Sequence, residues 1–325
     1  MNTTRVITMI CWIVSALVLI GLLIWFLTGS IFGIGGGSMF NWFRGINIGG
    51  FENLTGPFIS QGTQTSDASN IHSLDISWVS GEITVIPHDG NDIQVTEYTQ
   101  RDLKDNERMH INESGGTLTI RFRERSNISV NMPRKNLEVL VPHSLSDDMT
   151  KLKISTTSGN INVENFKTAT ADISSVSASI DTANLTSKSI DISTTSGAIS
   201  VSSVRADETK ISSVSGAISL TDAFVITLDT NTTSGRTNVT GEFDKVDVST
   251  VSGGTTVKSA IIPSRINVSS VSGGTDVYIP NTGEITVSHS AVSGKFSSDI
   301  PVKIQSGAAY NFSSVSGSTN IYVLG

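Results

Sequence analysis

A Ser-Gly pair that returns at a nearly constant interval constrains this 325-residue chain more than any other feature. The pair stands at Ser158-Gly159, Ser196-Gly197, Ser215-Gly216, Ser234-Gly235, Ser252-Gly253, Ser272-Gly273, Ser293-Gly294 and Ser316-Gly317. Ser177-Ala178 replaces one glycine, and an outlying copy stands at Ser80-Gly81. Corner positions 159, 178, 197, 216 and 235 are evenly spaced at intervals of 19, and the later intervals are 18, 20, 21 and 23. A fixed period of about 20 residues marks a solenoid, in which each unit covers its apolar face only by stacking on the next.

Within the repeat, apolar positions alternate with polar ones. Five residues before the corner stand Ile76, Ile154, Ile173, Ile192, Ile211, Val248, Val268 and Phe312, with Thr230 and His289 as exceptions. Two after it stand Ile161, Ile180, Ile199 and Ile218, then Thr237, Thr255, Thr275, Phe296 and Thr319. Four after it stand Val163, Val201, Leu220, Val239, Val257, Val277 and Ile321, with Thr182 and Ser298 as exceptions. This period of two predicts half-buried strands. A third apolar patch, at Phe166, Leu185, Val204 and Phe224, falls late in several units.

The corner glycine is expected to supply φ > 0 where the strand turns sharply. By that reading Ala178 is strained. The serine before it reads equally as one member of a stacked hydroxyl ladder or as a small, turn-friendly residue. Two before the glycine, Thr157, Val176, Thr195, Val214 and Thr233 alternate and Val follows throughout, a pattern compatible with either face. Ser114-Gly115 and Ser306-Gly307 lie off the period and read as plain turns.

The chain in order gives four segments. Residues 1–28 hold a short tail and the uncharged run 6–27, VITMICWIVSALVLIGLLIWFL. That run is long enough for a hydrocarbon core of about 30 Å and too long for the apolar core of a secretory signal. The only cysteine, Cys11, lies inside it, without the small residues a lipoprotein cleavage site needs, so disulfides and Cys-based metal sites are excluded from the rest. Arg5 and the terminal amine before the run, against Arg44 after it, place the N-terminus in the cytoplasm and the remainder outside the cell. Residues 29–66 are a Gly-rich, membrane-proximal linker with scattered aromatics. Residues 67–150 are strand-like without the period and are expected to begin and cap the solenoid, with RFRER at 121–125 as a solvated face. Residues 151–325 carry the repeat.

The pattern Leu140-Val141-Pro142, then Leu152, Ile154, Thr156, Ser158-Gly159, Ile161 and Val163, resembles a bacterial "putative adhesin" family of unknown function. Its members are membrane-anchored, some from envelope-stress operons of Gram-positive bacteria. The resemblance covers roughly residues 70–325, implies a β-helix-like architecture, and brings no catalytic residues with it. Ala178 and the loosened spacing after Gly273 depart from the pattern.

Chemistry is sparse in the sequence. Net charge is −7, which argues against nucleic acid as a partner and disfavours direct contact with anionic lipid or wall polymers. His72, His88, His110, His143 and His289 are dispersed without ligand spacing, and Gly273-Gly274-Thr275-Asp276 does not match a calcium-binding nonapeptide. No metal or cofactor site is expected. The best candidate for chemistry is a column six residues before the corner: Asp75, Lys153, Asp172, Asp191, Lys210, Asp229 and Asp247. Stacked carboxylates serve acid/base work in some polysaccharide-cleaving enzymes. Here the column adjoins a buried Ile, faces solvent and is interrupted by lysines, so it reads as a charge ladder.

The expectation is therefore an all-β, parallel β-helix of about nine rungs at the spacing of the repeat, right-handed as crossovers between parallel strands almost always are, on one N-terminal transmembrane helix. The expected role is a non-enzymatic, adhesin-like structural or binding protein of the cell membrane, with an envelope protein or a glycan as partner. The alternatives are an envelope-stress accessory acting through a membrane partner and a carbohydrate-active enzyme. The C-terminal unit, with Ile321 and Val323 inward, is expected to be the uncapped last rung and an edge that docks a partner, unless a stretch such as KIQSGAAY covers it.

Overall fold

The computed structural model describes residues 48–52, 54–124, 130–305 and 307–324. The apolar run 6–27 and most of the 29–66 linker lie outside them. No helix among the described residues is long and apolar enough to cross a membrane.

In chain order the strands are β1 (Ile48–Phe51), β2 (Ile59–Asp67), β3 (Ser73–Ser77), β4 (Ile83–His88), β5 (Asp92–Thr99), β6 (His110–Ser114), β7 (Thr117–Arg121), β8 (Val130–Met132) and β9 (Asn136–Pro142). One helical turn, α1 (His143–Ser146), leads to β10 (Met149–Thr156). The regular part follows as β11 (Ile161–Ser175), β12 (Ile180–Thr194), β13 (Ile199–Ser213), β14 (Ile218–Thr232) and β15 (Thr237–Ser252). Shorter strands complete the chain: β16 (Thr255–Ser259), β17 (Arg265–Ser272), β18 (Thr275–Ile279), β19 (Ile285–Ser293), β20 (Phe296–Ser298), β21 (Val302–Ile304), β22 (Tyr310–Ser316) and β23 (Thr319–Val323). β1 and β8 pair as a two-stranded sheet, and the other strands share one sheet.

That sheet is a parallel β-solenoid of about nine turns. Parallel pairing holds β11 to β12, β12 to β13 and β13 to β14 with a constant offset, as in Ile161↔Ile180, Ile180↔Ile199 and Ile199↔Ile218. The alternating columns are the core: Ile76, Ile154, Ile173, Ile192 and Ile211 are fully buried, as are Ile83, Ile161, Ile180 and Ile218. Thr230, Thr237, Thr255, Thr275 and Thr319 continue these columns and are buried too.

A second corner, unmarked by glycine, bends each regular coil six residues after the first. Asn165, Asn184, Ser203 and Asp222 stand there in the left-handed region, at φ 62°, 54°, 53° and 52°. Asn and Asp tolerate that conformation better than most side chains. Asn184 Nδ2 donates to Asn165 Oδ1 at 2.8 Å, linking two coils. The next coil lacks this residue: the β14–β15 register shifts between Leu220 and Ala223, so Thr221 and Asp222 face Thr240 alone. The shortened interval between Gly235 and Gly253 is this one-residue loss.

The third apolar patch needs one correction. Cross-coil pairing puts Leu185 on Val204, but Arg205 on Phe224, so Ala223 rather than Phe224 continues the inward column. Phe224 is 39% exposed, and the Arg205 guanidinium lies 4.0 Å from its ring centroid. Two positions further on, Thr168, Ser187, Ala206, Val225 and Phe243 form a second buried column.

Both ends depart from sequential stacking. At the N-terminal end β3 lies between β7 and β10, and β4 between β9 and β11. The antiparallel strands β5 against β9, β2 against β5 and β6 against β7 finish that end. Ser114-Gly115 is a plain hairpin turn, with Gly115 and Gly116 both at positive φ. The first three residues of RFRER are no solvated face: Arg121 forms a 3.0 Å ion pair with Asp75, and Phe122 and Arg123 are buried.

At the C-terminal end β22 inserts between β17 and β19, and β23 between β18 and β20. The expected open edge is therefore wrong at Ile321, which is buried and paired on both sides, while Val323, expected inward, is 37% exposed and pairs with Ile279 alone. The outermost coil is instead 285–304, which precedes it in the chain. There β21 pairs with Ile285–Val287, Gln305 N donates to Val287 O at 2.9 Å, and Ile300 is buried. The segment around 299–305 thus covers part of that end, and the rest of β19 is paired on one side.

Candidate functional site

The corner residues singled out by the repeat form one stack. Each glycine lies so close to the coil before it that a Cβ would overlap a carbonyl oxygen. Gly159 would meet Gly81 O, Gly197 would meet Ala178 O, Gly216 would meet Gly197 O and Gly235 would meet Gly216 O. The series continues through Gly253 on Gly235, Gly273 on Gly253, Gly317 on Gly273 and Gly294 on Gly317, which repeats the coil order seen in the strands. Close approach of two backbones, not φ > 0, is what excludes side chains at Gly159, Gly197, Gly216 and Gly235, for none of these has positive φ. Ala178 is not left-handed either, which removes the strain expected there.

Hydrogen bonds divide the corners into two kinds. In the regular coils the corner N–H turns inward to a buried hydroxyl three residues earlier. Gly159 N donates to Thr156 Oγ1 at 3.1 Å, Ala178 N to Ser175 Oγ at 2.9 Å, Gly197 N to Thr194 Oγ1 at 3.1 Å, Gly216 N to Ser213 Oγ at 2.7 Å and Gly235 N to Thr232 Oγ1 at 2.9 Å. From Gly253 onward the N–H pairs with the neighbouring coil instead: Gly253 N with Ser272 O, Gly273 N with Ser316 O and Gly317 N with Ser293 O. These later glycines do have positive φ, at 156° for Gly253, 143° for Gly273, 151° for Gly294 and 156° for Gly317. The hydroxyls they abandon, on Thr250, Ser270 and Ser314, are buried without a hydrogen-bond partner.

The corner serines do not bond to one another. Ser158 Oγ donates to Val79 O at 3.2 Å, and Ser196 and Ser234 reach Val176 O and Val214 O at 3.5 Å. Ser177, Ser215, Ser252, Ser272, Ser293 and Ser316 occupy the same exposed rim. The residues two before the glycine, such as Val176 and Val214, are half-exposed and point outward.

The charged column is assembled as expected. Lys153 pairs with Asp75 and with Asp172, Asp172 with Asp191, Asp191 with Lys210, Lys210 with Asp229 and Asp229 with Asp247. Its ends are closed by arginine: Arg121 grips Asp75, and Arg265 bonds Asp247, which also accepts from Asn267 Nδ2 at 2.7 Å. Burial raises the carboxyls of Asp172, Asp191 and Asp229, while Lys153 and Lys210 pull the other way. No group of three or more His, Cys, Asp or Glu side chains among the described residues could hold a metal.

A buried ion pair in the N-terminal cap was not foreseen. Lys135 Nζ, fully buried, lies 2.8 Å from Glu97 Oε2 and donates to Glu107 O at 2.9 Å and to Phe122 O. It sits 4.2 Å from the Phe122 ring centroid and 5.0 Å from that of Trp78. Burial brings its ammonium down to about 8, against the opposing pull of Glu97. Met109 N donates to both Glu97 oxygens at 3.1 Å, and Trp78 Nε1 donates to Lys135 O at 2.6 Å. Beside it Arg101 joins Glu107 and Glu52 at 2.8 and 2.7 Å. The sequence carries no signal for this network, because Glu97, Glu107 and Lys135 lie in separate segments with no shared spacing.

A model of the family described as Toastrack DUF4097 matches residues 71–323. No curated protein matches the chain. Among solved structures, a "putative adhesin" from Bacteroides fragilis is 13% identical, with 83% of this chain and 98% of that one covered and a TM-score of 0.46. A "putative lipid binding protein" from Parabacteroides distasonis is 17% identical, covering 81% and 96%, with a TM-score of 0.43. A "putative adhesin" from the same organism is 11% identical, covering 81% and 96%, with a TM-score of 0.42.

Proposed function

Because this chain belongs to the Toastrack DUF4097 family, we propose that it is a non-enzymatic binding stalk of the cell envelope. It is anchored by residues 6–27 with the solenoid outside the cell, and its coils are right-handed. The observation that carries the reading is the uninterrupted ladder from β3 through β15, β17 and β22 to β19. A rod paired coil by coil resists bending, and its outer columns repeat small polar side chains such as Asn162, Asp181, Ser200, Ser219 and Asn238 at strand spacing. Such a surface suits a partner with its own repeat, an envelope polymer or an elongated protein.

The charged column fits a structural role within this reading. Lysines interrupt its acids and arginines close its ends, so each carboxylate has an opposite charge beside it.

Topology and binding are tested separately. A single cysteine at exposed Ser234, in a Cys11→Ser background, is treated on intact cells stripped of wall with a membrane-impermeant thiol reagent. Labelling without lysis is expected, and labelling only after lysis would reverse the orientation. Capture of an envelope glycan or a membrane protein by the full chain is the expected second result. Turnover of an oligosaccharide by the purified protein would favour the enzymatic alternative.

A further inference from the structure

The outward column through Glu164, Ala183, Ser202 and Thr221 holds small or flexible residues, and it changes character after Thr240. There the pairing runs Thr240↔Lys258, Lys258↔Tyr278 and Tyr278↔Tyr322. The two phenol rings stack with centroids 4.8 Å apart and 25° between planes, and Lys258 Nζ lies 5.0 Å from the Tyr278 centroid on the preceding coil. Both tyrosines are half-exposed. On the far side β20 ends at Ser298, opposite Ile321, so no strand pairs with Tyr322 there and its outer face borders a step in the wall.

Polar groups gather around that step. In the adjacent outward column Asn320 Nδ2 donates to Asp276 Oδ1 at 2.8 Å, and Ser297 Oγ donates to Asn320 Oδ1 at 2.7 Å. Asp299, the residue after β20, is tied to this edge by its N–H, which donates to Ile321 O at 2.9 Å. Burial, Asp276, Tyr278 and Asp299 together hold the Tyr322 hydroxyl above its ordinary value.

A half-exposed aromatic pair in a column otherwise small or polar calls for an explanation, since exposed apolar surface is otherwise kept small. An aromatic face flanked by acceptors is the arrangement that suits a pyranose: its C–H face covers the ring, and its neighbouring hydroxyls donate to carboxylates and accept from tyrosine hydroxyls. The net charge of −7 and the two aspartates repel anionic sugars. We propose that Tyr322, with Tyr278 behind it and Asp276 and Asp299 beside it, is a subsite for a neutral pyranose of a glycan. The proposal rests on the reading of the molecule as a binding stalk, and it names the ligand class of one place on that stalk.

The test uses the full chain in detergent with three probes, chitotetraose, cellotetraose and maltotetraose, read by saturation-transfer NMR and by titration calorimetry. At least one should bind with its ring C–H protons nearest the protein. Tyr322→Ala should weaken that binding roughly tenfold or more, a loss typical of an aromatic anchor. Tyr322→Trp should retain it, and Asp276→Asn should weaken it, while Phe224→Ala on another part of the wall should leave it unchanged. Circular dichroism keeps loss of binding apart from loss of fold, and Tyr322→Trp preserves the column if the alanine variant fails to fold. Binding of none of the three probes, undiminished binding by Tyr322→Ala, or equal loss in Tyr322→Trp would overturn the subsite. None of those results touches the cell-surface labelling, so the subsite and the envelope stalk fail separately.

Discussion

A methyl group on Gly216 would occupy the space of the Gly197 carbonyl oxygen, and the other corner glycines from Gly159 to Gly317 are placed alike. Gly216→Ala should therefore cost about 1–3 kcal/mol, as overpacking against backbone does, measured by urea unfolding. Ala178→Gly tests the other half of the argument. At this position φ is not positive, so glycine gains no conformational relief and adds freedom to the unfolded chain, and a loss of about 0.5–1 kcal/mol is expected. Ser203, at φ 53°, is where relief exists: Ser203→Asn should raise stability by up to about 1 kcal/mol and extend the Asn165–Asn184 pair. The corner glycines were legible in the sequence, but their cause was not, because a left-handed turn and a close backbone contact both select glycine. The second corner escaped notice because Asn165, Asn184, Ser203 and Asp222 share a backbone conformation rather than a residue type. Phe224 was misplaced by one position because an apolar side chain beside an apolar column looks like a member of it until the register is known.

At the scale of the strand, two inward columns change residue from coil to coil while staying in register. Phe166 and Thr168 in β11 become Leu185 and Ser187 in β12, Val204 and Ala206 in β13, Ala223 and Val225 in β14, and Gly241 and Phe243 in β15. The first inward side chain shrinks from coil to coil, and from β13 to β15 the second grows as it does so, from Ala206 to Val225 to Phe243. The inward hydroxyls are strand features of the same kind. Ser213→Ala should cost about 1–3 kcal/mol, because it strands the buried N–H of Gly216. Thr250→Val should be neutral or stabilising, because the Thr250 hydroxyl has no partner to lose. The charged column makes a pH-dependent prediction. Asp191 is exposed as a residue, but partial loss of hydration between neighbouring coils, with Asp172 and Asp229 nearby, raises its carboxyl above the usual 3.8 despite Lys210. A raised value means that ionisation costs folding free energy, a cost absent below pH 3.8 and complete above the raised value. Asp191→Asn should thus raise the urea midpoint at pH 7 and leave it unchanged at pH 3, with a small gain because the residue is exposed and water screens it. Strand alternation and the Asp column were readable because both depend only on spacing. Hydrogen-bond partners at the corners were not, since they depend on which coil lies above.

For the whole molecule, the two ends are built by coils that stack out of chain order. At the N-terminal end the cap is tied to the first coil by Lys135, whose carbonyl oxygen starts the corner stack beneath Gly81 and whose ammonium meets Glu97. Lys135→Met should cost about 3–5 kcal/mol by leaving Glu97 buried and unpaired, and Lys135→Met with Glu97→Leu should recover much of that loss in thermal unfolding. At the C-terminal end β23 closes between β18 and β20, so Thr319, Asn320 and Ile321 are paired on both sides. The lengthened intervals before Gly294 and Gly317 were the sequence's only sign of this, and spacing alone does not reveal which coil a strand joins. Cysteine pairs decide the order directly, in a Cys11→Ser background under mild oxidation. Asp276 pairs with Asn320, and Asn320 with Ser297, so Asp276→Cys with Asn320→Cys, and Asn320→Cys with Ser297→Cys, should each form a disulfide within the folded monomer. Asp276→Cys with Ser297→Cys should not, because β23 stands between them. A disulfide in that last pair, with none between Asp276→Cys and Asn320→Cys, would mean that the coils stack in chain order and would contradict the fold described above.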